Sequence, residues 1–390
     1  MIGESMVYLD NSATTSLCDT AKERMLEAME TFGNPSSVHK EGVAAKRLLD
    51  KARESVGRLF GMNGASHDRL IFTSCGTEAN NMAIFGSVYA KKRRAGDRII
   101  TTNSEHPSID ACLQRLEGEG FEVIRLKTRG GVLDFEEFRS YLNDRVILVS
   151  LMMVNNETGA VYDVAKFFSE AKKKNPDTVT HCDAIQGFLK LPFNPKRLGA
   201  DMISVSAHKI HGPKGAGALY ISQEIIKRRL ISPHMCGGGQ EGGLRSGTEN
   251  VVGICGFGGA CAEGYAKIRE SVENMTALRD LCRTLATEAG ARVNIPEGAS
   301  APHIVSITLP SIKSETMLNY LSSKNICVSA GSACSSHQRN ISSSLVGFGI
   351  PEREADTTIR VSISRLNTKE DIYEFSAALS EGIKTLVRIK

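Results

Sequence analysis

The chain reads as an α/β protein: a mostly parallel sheet flanked by helices, followed by a smaller α+β unit. Three observations carry that reading. Strand-like runs alternate with helical periodicity through the first two thirds of the chain. The run Val146 to Val154 is apolar except for Ser150, as suits a strand buried on both faces. Asn156, Asp183 and Lys209 each follow such a run, 27 and 26 residues apart, close to one βα repeat.

In chain order, the run Leu70 to Thr73 leads into a helix near Thr77, and Arg98 to Thr102 into one near Pro107. The apolar run from Val146 comes next, then Thr178 to Asp183, Met202 to Ser206 and Ala216 to Ile221. In open sheets of this kind ligands collect at the carboxyl ends of the strands, where Asn156, Asp183 and Lys209 fall. From about Thr248 to Gly290 the pattern turns helical, opening on Gly253, Gly256, Gly258 and Gly259, which suit close helix packing. The runs Ile304 to Leu309, Ile326 to Ser329 and Thr358 to Ile363 follow, with helices near Ser314 to Ser323 and from Thr368. The N-terminal run Val7 to Asp10 fits either unit. The division expected is a large domain over 16–260 and a small domain built from 1–15 and 261–390.

Composition narrows the class. At 390 residues, 41% apolar and 24% charged, the chain has the make-up of an ordinary globular protein with one large core and a smaller one. A net charge of +4 with no basic block implies no nucleic-acid partner. No apolar stretch reaches the roughly 18 residues of a membrane span, and the N-terminus lacks the pattern of a signal peptide. Met1 to Ser5 reads as a leader of little structural weight. The ten cysteines are scattered without a C-x-x-C pair, which fits a reducing cytoplasm and cysteines used mainly as small apolar side chains.

The chemistry centres on Lys209, in S-A-H-K-I-H-G-P-K-G, and Asp183, at the end of V-T-H-C-D. A lysine amine and an aspartate about one βα repeat apart are what a pyridoxal phosphate site requires. The amine holds the aldehyde as a Schiff base, and the carboxylate keeps the ring nitrogen protonated so that the ring accepts electrons. Gly76 and Thr77, in F-T-S-C-G-T-E-A-N-N, place backbone N–H groups and a hydroxyl at a helix start, a cradle for phosphate; the plainer reading is helix capping. Ser206 and His208 flank Lys209 as further phosphate donors, whereas Lys209 taken alone is a surface lysine before a turn. His106, in S-E-H-P-S, is placed to stack on a flat ring and move protons, or simply to cap a helix. Asn156 and Gln186 are placed to hydrogen-bond ring substituents, with turn chemistry as the alternative. Cys334 lies in S-A-G-S-A-C-S-S-H-Q, whose composition predicts an exposed, mobile loop; its thiol is a candidate nucleophile, against the alternative of an incidental surface cysteine. G-G-G-Q-E-G, residues 237 to 242, matches a dinucleotide motif but follows no strand. His208 and His211 precede a Gly-Pro turn with no further ligand cluster, so no metal site is expected.

Together these strings resemble a cysteine desulfurase of the NifS/IscS type, in the class V aminotransferase family of fold type I pyridoxal phosphate enzymes. The likeness runs from Y-L-D-N-S-A-T-T at Tyr8 to R-V-S-I-S-R at Arg365, and includes G-N-P-S-S, V-N-N-E-T-G, D-A-I-Q, R-S-G-T-E-N and S-A-G-S-A-C. The resemblance implies a seven-stranded sheet of the aspartate aminotransferase type and a homodimer. It assigns the cofactor amine to Lys209, the ring-nitrogen partner to Asp183 and the stacking ring to His106. Asn156 and Gln186 correspond to contacts with the cofactor and its 3-hydroxyl, and Gly76, Thr77, Ser206 and His208 to phosphate binders. Thr248 corresponds to a phosphate ligand reaching over from a second subunit. Arg360, with Asn34, corresponds to substrate binding, and Cys334 to the cysteine that takes the sulfur. Cys75 and Asn11 depart from the familiar pattern and are expected to stand outside the chemistry. The implied activity converts L-cysteine to L-alanine and leaves sulfur as a persulfide on Cys334, for iron–sulfur cluster assembly or other sulfur transfer. The alternatives are selenocysteine lyase, another class V pyridoxal phosphate enzyme, or a non-catalytic sulfur-transfer scaffold.

Overall fold

The structure, a computed structural model, describes residues 6–62, 69–90, 96–192, 194–330 and 342–387. Its main element is a seven-stranded sheet. In spatial order the strands are Leu70–Thr73, Gly217–Ile221, Met202–Ser206, Val179–Asp183, Val146–Met152, Arg98–Thr102 and Glu122–Leu126. All seven residues of Val146–Met152 and all five of Val179–Asp183 are buried, so the two central strands carry almost no water-exposed surface. Neighbouring pairs are parallel except at Gly217–Ile221, which runs antiparallel to both Leu70–Thr73 and Met202–Ser206. Its connection, 207–216, is shorter than the dozen or so residues that a parallel crossover needs.

Helices cover both faces. On one side, Gly76–Ala90 and Pro107–Gly118 pack Ile84 and Leu113 against Ile71, Ile99 and Leu148. On the other, Leu49, Val56, Phe188 and Phe257 meet Phe72, Val149 and Val205. There the helix Val251–Ala266 lies close to Asp19–Glu30 and Lys40–Leu59. A Cβ on Gly258 would stand 2.8 Å from the Ala52 backbone, and one on Gly259 would stand 2.6 Å from the Thr20 carbonyl oxygen. The glycine cluster thus serves close approach.

A second sheet, antiparallel, runs Arg292–Asn294, Ile304–Thr308, Thr358–Ser362, Ser329–Ala330. Its helices Ile268–Glu288, Ser314–Ser323 and Lys369–Thr385 bury Leu278, Met317 and Phe375 against it. The N-terminal strand Val7–Tyr8 pairs in parallel with Ile326–Cys327, and Asp10 bridges to Ser362, so the chain's beginning belongs to this second assembly. A further antiparallel pair, Ala299–Ser300 with Ala160–Val161, ties the second assembly to the first.

The glycine-rich segment 237–243 is a turn rather than a nucleotide loop. Glu241 sits in it at φ 48°, a left-handed conformation that a non-glycine residue adopts only when held. It is held by Arg53, whose guanidinium reaches Glu241 at 2.6 and 3.0 Å, and by the Phe72 N–H at 2.8 Å. Both charged side chains are 2% exposed, and Arg53 also donates to the Leu70 carbonyl. Glu241→Ala would strand the Arg53 charge, at a cost of about 3–5 kcal/mol. The urea midpoint of the variant is expected to fall accordingly; an unchanged midpoint would show that the pair does not pin this turn.

Candidate active site

The carboxyl ends of three neighbouring strands deliver Asn156, Asp183 and the segment from Ser206 to Lys209 to one region. Asp183 ends the central strand and is 5% exposed. Its Oδ2 accepts from Asn80 Nδ2 at 2.8 Å and its Oδ1 from the Ile185 N–H at 3.0 Å. Burial pushes this carboxyl above the ordinary aspartate range, opposed by the Ile185 N–H, the His106 ring, Asn80 and Lys209.

His106 caps the helix Pro107–Gly118. Its Nδ1 accepts from the Ser108 N–H at 3.1 Å and pairs with Ser108 Oγ at 2.8 Å, which assigns the ring hydrogen of the neutral form to Nε2. Burial lowers its pKa, with Asp183 opposing and Lys209 assisting. His106 and Thr77 line one open groove. The same histidine therefore both caps a helix and lines this groove.

Lys209 Nζ donates to the carbonyl oxygens of Ser12 at 2.6 Å and Ala13 at 2.7 Å. The same Ser12 oxygen accepts from Gln186 Nε2 at 3.0 Å. His208 Nδ1 lies 3.3 Å from Thr14 Oγ1, and burial among Lys209, Lys214 and Lys190 pushes its pKa down to about 4. The segment 10–14 is thus a wall of the site. Asn11, expected to stand outside, is 3% exposed and lines a cavity with Lys209, and it donates to Ser362 O and Asn367 Oδ1.

Gly76 begins a fifteen-residue helix, and a Cβ there would stand 2.3 Å from Ile185 Cδ1 and 3.4 Å from Ser206 Cβ. Ser206 Oγ, buried beside this turn, has no hydrogen-bond partner among the described residues. Arg360 is 4% exposed; its Nη2 meets Asp10 Oδ1 at 2.9 Å and its Nη1 donates to Asn156 O at 2.9 Å, while the buried Nε has no partner among the described residues. Asn34 and Thr248 are exposed, and no hydrogen bond among the described residues joins either to the Asp183–Lys209 group. Asn34 Oδ1 instead accepts from the Ser36 N–H at 2.9 Å. Cys334 lies outside the described residues.

Several participants escaped the sequence reading. Asn80, one helical turn past Thr77, touches Asp183 directly. Asp10 occupies Arg360, and the backbone of Ser12 and Ala13 receives Lys209. Lys190 is 6% exposed and donates to Gln186 Oε1 at 3.2 Å; burial, with Lys209 and Arg360 nearby, pushes its amine down to about 7. A lysine inside the apolar run F-L-K-L-P-F, four residues after Gln186, was the available signal.

These residues fit pyridoxal phosphate. An orphan buried hydroxyl beside a glycine-opened helix start suits a phosphate, and a buried carboxylate held by two donors suits a pyridinium nitrogen. An open α/β sheet with an amine, an imidazole and such a carboxylate at its strand ends defines a fold type I cofactor enzyme. The family model described as "Aminotransferase class-V" matches residues 7–375, and the chain belongs to that family. A protein of Methanosarcina thermophila named "Cysteine desulfurase IscS" is 37% identical over 383 residues, covering 97% of this chain and 92% of that protein. A solved structure titled "NIFS-LIKE PROTEIN" superposes with a TM-score of 0.90 at 35% identity, covering 98% of this chain and 100% of that one. A second, titled "SspA in complex with cysteine", gives a TM-score of 0.78 at 29% identity, covering 93% and 100%.

The lowered pKa of Lys190 sets a stability prediction. A lysine amine loses its proton near pH 10.4 when unfolded, against about 7 in the fold. The cost of holding it charged is therefore full below pH 7 and fades as pH rises toward the unfolded value. Lys190→Met should raise the stability of the cofactor-free protein by about 1–4 kcal/mol at pH 6, the range for replacing buried ionic groups by apolar ones. The gain should shrink by pH 10, read as the urea midpoint at each pH; a loss at pH 6 would contradict it.

Proposed function

We propose that the protein is a pyridoxal phosphate-dependent cysteine desulfurase, which converts L-cysteine to L-alanine and carries the sulfur as a persulfide on Cys334. The observation that supports this most is the grouping of Lys209, buried Asp183 and His106 at the carboxyl ends of strands of one sheet, in a chain whose relatives carry the desulfurase name. Lys209 would hold the cofactor, with Gly76, Thr77, Ser206 and His208 at its phosphate, His106 over its ring and Asn156 and Gln186 at its edge. When bound, the cofactor withdraws electrons from the substrate α-carbon.

The chain's own residues supply the rest. Arg360 offers the substrate carboxylate a planar, two-pronged partner, and its unpaired Nε is a donor in reserve. Asn34, exposed in this chain, would assist substrate binding from the segment 33–37. Lys209, freed as a neutral amine, takes the α-proton, and the neutral His106 ring moves a proton. The Cys334 thiolate attacks the substrate sulfur; the substrate carbon–sulfur bond breaks, its electrons stay with the carbon, and protonation completes alanine.

The exposed positions of Asn34 and Thr248 favour a homodimer in which Thr248 serves the partner's phosphate site. The division into a large domain, 16–260, and a small domain, 1–15 with 261–390, is part of this proposal, as are a cytoplasmic location and an iron–sulfur scaffold or similar protein as the sulfur acceptor. No helix among the described residues is long and apolar enough to cross a membrane.

Borohydride reduction and peptide mapping should place the pyridoxyl group on Lys209. The purified protein given L-cysteine should release alanine and gain one sulfur on the peptide containing Cys334. Cys334→Ser should bind cysteine and yet make no alanine at a useful rate. Full alanine production by that variant, or persulfide on Cys327 instead, would overturn the proposal. Arg360→Lys should weaken cysteine binding about tenfold or more by losing the paired geometry, with the cofactor spectrum nearly unchanged; normal binding would assign the carboxylate to another group.

A further inference from the structure

Lys190 is a buried amine that the proposed chemistry does not use. Among the described residues no carboxylate pairs with it. The groups facing it are cationic or basic: Lys209 and Arg360 act on it directly, and it in turn acts on His208, His211 and His303. Among the described residues the acceptor within reach of its Nζ is a neutral one, Gln186 Oε1 at 3.2 Å. Salt bridging therefore does not account for it.

The backbone is bent to put it there. The turn after Asp183 is closed by Phe188 N–H to Ala184 O at 2.7 Å and Leu191 N–H to Gly187 O at 2.9 Å. Within it Leu189 takes φ 55°, in the left-handed region where a branched side chain is strained. Leu189 is packed in the core, only 9% exposed, and the next residue's amine enters the cavity that Lys209 also lines.

The consequence falls on Gln186. An amide has a donor end and an acceptor end of nearly equal shape, so its orientation is decided by its partners. Here the Oε1 end receives Lys190, and the Nε2 end donates at 3.0 Å to the Ser12 oxygen, which also accepts Lys209 at 2.6 Å. Reversing the amide would set its oxygen against the Ser12 carbonyl and, with Lys190 protonated, its N–H groups against the ammonium hydrogens. Both buried hydrogen bonds would be lost.

We propose that Lys190 is a positioning residue for the cofactor site: its bond to Gln186 Oε1 fixes the amide with its NH2 group toward Ser12, Lys209 and the bound cofactor. This leaves the second Nε2 hydrogen for an acceptor in the site. The proposal rests on the reading that Lys209 carries pyridoxal phosphate and that Gln186 contacts it.

The test is a double-mutant cycle on cofactor binding. The apo forms of the wild type, Lys190→Met, Gln186→Ala and the double variant are titrated with pyridoxal phosphate. Dissociation constant and absorption maximum are read for each. Each single variant should bind about tenfold more weakly, the equivalent of one hydrogen bond, and shift the maximum in the same direction. The double variant should be no worse than either single, because both remove the same interaction. Lys190→Gln, whose amide can still donate to Gln186 Oε1, should recover to within about threefold of the wild type.

Independent losses that multiply to about a hundredfold in the double variant would overturn the role, as would wild-type affinity and spectrum in Lys190→Met. Absence of a Lys209-bound chromophore from the wild type would overturn the function on which the role rests. That result is distinct from an intact wild-type chromophore with an indifferent Lys190.

Discussion

The site is organised around one constraint, a carboxylate buried at the end of the central strand. Asp183 is 5% exposed and would be costly to ionise without help. The Ile185 N–H, Asn80, the His106 ring and the Lys209 amine provide that help from four different segments. The helix Gly76–Ala90 is fixed in register by the demand that Asn80 reach Asp183, and this same register places Gly76 beside Ser206. The helix from Pro107 is fixed by His106, which caps it. A carboxylate held this way keeps its affinity for a proton or a cationic ring nitrogen. This is the property that the proposed cofactor chemistry needs most.

The second constraint is that neither half of the protein completes the site. The strand Val7–Tyr8 and the bridge at Asp10 belong to the smaller sheet, yet the residues just after them receive Lys209 and Gln186 from the larger one. Arg360 stands on a strand of the smaller sheet and spans to Asn156 of the larger, with Asp10 as its counter-ion. Asp10 occupies the guanidinium face that a substrate carboxylate would seek. Binding of an amino acid at Arg360, as proposed, would therefore compete with, or rearrange, an existing ion pair.

Much of this was legible in the sequence. The run from Val146, apolar except for Ser150, and the near-constant spacing of Asn156, Asp183 and Lys209 marked the central strands and the strand ends that these residues follow, because strand burial and βα repeat length are local properties. The helix starts at Gly76 and Pro107 were marked by turn and capping residues. The antiparallel strand Gly217–Ile221 was not read as such, since direction depends on the length of its connection rather than on its own residues. The edge strand Glu122–Leu126 carries charged residues at Glu122 and Arg125, which leave only short apolar pieces to announce it. Lys190 and the Ser12 and Ala13 carbonyls were hidden for a different reason. The apolar run around Lys190 hinted at its burial but not at its partners, and a backbone carbonyl has no letter in a sequence.

The central claim is that the Asp183 carboxylate holds the ring nitrogen of the cofactor in its protonated form. It is tested most directly by the nitrogen-15 chemical shift of ring-labelled pyridoxal phosphate bound to the protein. At neutral pH the wild type should show the shift of a pyridinium, and Asp183→Asn, which keeps the shape without the charge, should show that of a neutral pyridine. A neutral ring nitrogen in the wild type, or a pyridinium undiminished in Asp183→Asn, would contradict the account.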